Sequence, residues 1–141
     1  MSRLIGISTA GVLFALGLLH VYWAGGGAWG TDVAIPKQDG KPVFQPSPAA
    51  TLLVATLFFS AGLIVLGRIR LWGAALPRWP FVAGTWTLVA VFLGRVVGDF
   101  RWFGVFKRMR GTAFARSDTW LFVPLCLFLA LGCLAVALSQ G

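Results

Sequence analysis

No glutamate occurs anywhere in this chain, and negative charge rests on four aspartates. There is one histidine, one tyrosine and two cysteines. Each scarcity removes a class of function. A haem clamped between two histidines needs a second one, and only His20 is present. A metal site would require His20 with both Asp99 and Asp118, where neighbouring arginines would repel the cation. No glycine-rich phosphate loop follows a strand, and no Ser or Cys stands beside His20 by local spacing, so nucleophilic catalysis has no support. Cys126 and Cys133 lie seven residues apart, about 10 Å along a helix axis, too far for a disulfide. They read as small apolar packing residues. Charged residues make up only 11% of the 141 positions. A soluble domain carries about 25%, so this chain cannot coat a water-facing surface.

What is abundant is apolar: 58% of the residues. Four runs stand out, over 4–24, 49–67, 81–100 and 120–139. Each is close to the roughly 20 residues that a helix needs to cross a hydrocarbon core. The expected fold is all-α, an integral membrane four-helix bundle forming a single transmembrane domain over 1–141. A short interfacial segment is expected between the third and fourth helices, where Phe100–Arg110 mixes aromatic and cationic residues. The first run is expected to be a retained span, since Trp23–Trp29 makes a poor signal-peptide cleavage site. Residues 25–47 carry prolines at 36, 42 and 46, which favour an extended or turn-rich loop, either a lid or a tether. Ser117-Asp118 is expected to cap the fourth helix, and Pro124 to kink it near Leu121–Phe122.

The formal charge of +8 is concentrated near the membrane ends. That favours anionic head groups and disfavours nucleic acid as a partner. In a four-span topology the first and third loops share one face. They carry Lys37, Lys41, Arg101, Lys107, Arg108, Arg110 and Arg116, against Arg3, Arg68, Arg70 and Arg78 opposite. The excess favours cytoplasmic first and third loops.

Six of the 12 cations and two of the four carboxylates fall between Arg95 and Asp118. Arg95 and Asp99 stand at i and i+4, close enough to pair on one helix face. Intramembrane ionisable groups are costly and mark functional sites. In an up-down bundle the first and third helices run the same way, which puts His20 and Arg95 at similar depth below one face. Asp99, Arg101 and Asp118 join that face. Tyr22, Trp23, Arg95, Arg101, Trp102 and Arg116 are the candidate ligand contacts. His20 with Asp99 or Asp118 would be the acid–base pair of an enzyme. The structural alternative is a register-fixing Arg95–Asp99 pair, a helix-capping Asp118, a hydrogen-bonding His20 and an interfacial aromatic belt.

Three motifs, His20-Val21-Tyr22-Trp23-Ala24, Gly98-Asp99-Phe100-Arg101 and Phe114–Thr119 with Pro124-Leu125-Cys126-Leu127, resemble a bacterial family of small four-helix membrane proteins catalogued as a domain of unknown function. The resemblance covers nearly the whole chain. It implies a multi-pass protein of the cytoplasmic membrane with these polar residues inside the family's motifs, and it carries no activity or cofactor. The leading expectation is a binder of a lipophilic molecule (a lipid, quinone, carotenoid or terpenoid) with its tail among Phe58, Phe92 and Phe128. The alternative is an accessory subunit of a larger respiratory or photosynthetic membrane complex. A stand-alone transporter is disfavoured, since there is no repeated half and no polar path past mid-membrane.

Overall fold

The computed structural model describes residues 1–35, 37–98, 104–108 and 110–139. Asp99, Arg101 and Trp102 therefore lie outside the described residues. Five helices account for most of the described residues: α1 (Ser2–Ala24), α2 (Thr31–Ala34), α3 (Pro48–Arg68), α4 (Trp79–Val97) and α5 (Ala113–Leu138). All but α2 are long and apolar enough to cross a membrane. The protein is an all-α membrane bundle.

The helix ends follow local chemistry. Ser47 Oγ accepts from Ala50 N at 3.2 Å, and Pro48 takes the first helical position of α3, where a missing N–H costs nothing. The cap of α5 corrects the expectation from sequence. Thr112, not Ser117-Asp118, caps it, with Oγ1 accepting from Ala115 N at 3.0 Å. Asp118 thus lies inside the helix. The irregularity expected from Pro124 takes the form of a π turn over Asp118–Phe122, in which Val123 N–H reaches back to the Asp118 carbonyl. Pro124 has no N–H to offer Trp120, and a widened turn accommodates that gap.

The first loop is less irregular than its prolines suggested. After α2, strands β1 (Lys37–Gln38) and β2 (Lys41–Pro42) pair antiparallel about Asp39-Gly40. Both turn residues have positive φ, 51° and 76°, as a two-residue hairpin turn demands. Lys37 Nζ bonds Asp32 Oδ1 at 2.6 Å and holds that carboxyl below its ordinary range. Helix α2 packs on the first turns of α5.

The four long helices form a ring. Helix α1 packs on α3 and α5, and α4 packs on the same two. The core is layered from Ala10 and Leu13 of α1, Val65 of α3, Val89 and Phe92 of α4, and Leu129, Cys133 and Val136 of α5. Gly62 lets α1 approach α3, since the Phe14 ring lies 2.7 Å from where a Cβ would stand. Only 22–33% of each spanning window is buried. The remaining Leu, Val, Phe and Trp side chains face outward, as lipid requires. Thr51 and Thr56 donate to the carbonyls four residues back, Ser47 O and Leu52 O, each at 3.0 Å. Arg68, at the far end of α3, donates through Nη2 to Ala137 O at 3.0 Å and Ser139 O at 2.6 Å. It thereby satisfies terminal carbonyls of α5.

Candidate functional site

Asp118 is fully buried and is the anchor of the polar end of the bundle. Its Oδ1 accepts from Arg95 Nη2 of α4 at 2.7 Å. Its Oδ2 accepts from Lys107 Nζ at 3.0 Å and from the Gly104 backbone N–H at 2.8 Å. Lys107 Nζ also donates to Gly104 O at 3.2 Å and Thr119 Oγ1 at 2.7 Å. All three ammonium hydrogens are thus used, which is what permits Lys107 to be nearly buried. Arg95 thus reaches a carboxylate on the neighbouring helix, which its i, i+4 spacing to Asp99 does not indicate. Asp99 itself lies outside the described residues.

The backbone has to fold sharply to bring Lys107 inward. Val105 N–H bonds Val96 O at 2.8 Å, and Phe106 N–H bonds Val97 O at 3.4 Å, so the third loop doubles back onto the end of α4. Gly104 (φ 91°) and Gly98 (φ 92°) make the turn. A Cβ on Gly104 would strike the Gly98 backbone, and its N–H could not then reach Asp118. The described part of the segment between α4 and α5 is therefore a clamp of turns tied to Asp118.

Beside this clamp a cavity of about 390 Å³ opens between the helices. Leu16, Leu19, His20 and Trp23 of α1 form one wall, Phe92 and Arg95 of α4 another. Phe58 of α3 and Phe122, Cys126 and Leu129 of α5 complete the sides, and Ala34, Val43 and Phe44 of the first loop roof it. Among the described residues the lining is apolar except for His20, Arg95 and the Cys126 thiol. His20 Nδ1 donates to Leu16 O at 2.8 Å, so Nε2 is the acceptor of the neutral ring. The ring is held against Trp23 (centroids 4.9 Å) and Phe58 (5.1 Å). A wider hollow of about 790 Å³ lies between the first loop and α3 and shares His20, Trp23, Ala34 and Phe44 with the cavity. His20 stands where the two meet.

The candidate residues thus divide. His20, Trp23 and Arg95 line the cavity, and Asp118 supports it from behind. Tyr22 does not line it. Tyr22 packs against Gly27, and its hydroxyl accepts from Trp29 N at 3.4 Å. Arg116 lines a different hollow, on the outer side of the third loop. Phe58 and Phe92 reach the cavity, whereas Phe128 is 46% exposed on the outer face. Lys107 and Gly104 are the residues that sequence reasoning missed. Among the described residues no three His, Cys, Asp or Glu side chains assemble as a metal-ligand set.

These features define a class, a multi-pass membrane bundle with an ion-clamped cavity at one end. Residues 13–133 match the family described as "Protein of unknown function (DUF3995)", and the chain belongs to that family. No curated protein and no solved structure matches it.

Proposed function

We propose that this protein sits in the bacterial cytoplasmic membrane, with its first and third loops cytoplasmic, and binds a lipophilic molecule by its polar head. The observation that carries the reading is the composition of the cavity. It is a mostly apolar hollow within the roughly 300–1,000 Å³ range of small-molecule sites, in which, among the described residues, Arg95 and the His20 imidazole are the polar anchors. Arg95 offers donors to an oxygen-bearing head and His20 Nε2 offers an acceptor to a hydroxyl, while phenylalanines hold the tail. Asp118 keeps Arg95 oriented, a positioning role that three donors on one carboxylate support. Any proton transfer falls to His20, with Asp99 as its proposed carboxylate partner.

Native mass spectrometry after gentle extraction tests this. The wild-type protein should carry a small bound mass, lost from His20→Ala and from Cys126→Phe, which fills the cavity. Alkylation of Cys126 should be slowed by that ligand, with Cys133, buried in the core, as the unreactive internal reference. Full retention in both variants would refute the reading. A stoichiometric complex with larger subunits and no small molecule would instead assign an accessory-subunit role.

A further inference from the structure

We infer a second site, separate from the cavity, for the phosphate head group of an anionic lipid. It is a hollow of about 320 Å³ on the outer side of the third loop. Its walls are the Gly104–Lys107 turn, the Arg110–Thr112 turn and the first turns of α5, ending at Trp120 and Val123. Among the described residues three charged ones line it: Lys107, Arg110 and Arg116. Lys107 gives its three donors to Gly104 O, Asp118 Oδ2 and Thr119 Oγ1, so it contributes shape more than contacts to a head group. Arg110 and Arg116 are exposed, and among the described residues neither forms an ion pair. The two guanidinium groups flank one concavity and are suited to bidentate contacts with phosphate oxygens.

The position selects a lipid. The hollow sits where α5 begins its apolar run, and its lower rim is Trp120, 80% exposed. An indole at that level marks the head-group boundary. A head group held by the arginines would send its acyl chain down past Trp120 and Val123 along the outer face of α5. Among the described residues no carboxylate lines the hollow, so none of them favours the cation of a zwitterionic head group. Anionic lipids of the cytoplasmic leaflet are attracted to such basic clusters near the membrane surface.

The test uses the full chain in detergent, titrated with phosphatidylglycerol, phosphatidylcholine or inorganic phosphate and read by native mass spectrometry. Phosphatidylglycerol should bind at least tenfold more tightly than phosphatidylcholine. The double variant Arg110→Gln/Arg116→Gln should lose at least tenfold in that affinity. Arg78→Gln, an exposed cation at the opposite end, should lose nothing. Both sets are on the surface, so the bundle is expected to fold in each. Equal binding of the two lipids, or an equal loss in Arg78→Gln, would overturn the site. Inorganic phosphate binding with the same arginine dependence would assign it to a soluble anion and overturn the lipid.

Discussion

Neutralising position 118 leaves Lys107 and Arg95 packed around a group that no longer carries their counter-charge. Breaking a buried ion pair from one side costs about 3–5 kcal/mol, because the remaining charge keeps its desolvation penalty. Asp118→Asn is therefore expected to lower stability by about that amount, measured by denaturant unfolding in mixed micelles. Lys107→Met should cost clearly less. It removes a buried charge along with its partner contact, and Asp118 keeps Arg95 and the Gly104 N–H. Equal losses in the two variants would contradict the ordering. None of this was legible locally. Arg95 and Asp99 satisfy the i, i+4 rule, and no local spacing indicates that Asp118 also reaches Arg95, from 23 residues away. Lys107 read as one more loop cation, since only the folded turn at Gly104 turns it inward.

At the scale of elements, the apolar runs and the alternation of helix direction carried most of the information. They place the ends of α1 and α4 at one face, and His20 and Arg95 line one hollow there. Helix starts were harder. Thr112 and Ser117-Asp118 are comparable capping signals, and the choice was made by Asp118 finding three donors inside the bundle. The π turn had no sequence signature beyond Pro124. The short hairpin did have one, in Asp39-Gly40. Arg68 supplies an element-level prediction. Its two bonds to the last carbonyls of α5 are charge-assisted, and such bonds contribute about 1.5–3 kcal/mol. Arg68→Ala should lose roughly that much, with faster amide hydrogen exchange confined to the last turns of α5 and no change near His20. Faster exchange throughout the bundle would show that Arg68 does more than cap.

For the molecule as a whole, the outer surface is apolar along four helices, and polar chemistry is gathered at the end built by the first and third loops. That end contains the cavity between the helices, the wider hollow beside it and the hollow lined by Lys107, Arg110 and Arg116. The Arg95–Asp118 bond joins successive antiparallel helices, which bears on biosynthesis. A chain delivered from a ribosome into the bilayer can present α4 and α5 as one helical hairpin, whose two opposite charges cancel before either is committed to hydrocarbon. Insertion of α4, with its arginine, then depends on a carboxylate 23 residues further along, which leaves the ribosome after α4 does. Asp118→Leu makes α5 more apolar, yet it should reduce the fraction of α4 that inserts, as read by a glycosylation acceptor placed in the third loop, whose side of the membrane changes when α4 fails to cross. An unchanged fraction would mean that α4 enters alone and meets its partner only afterwards.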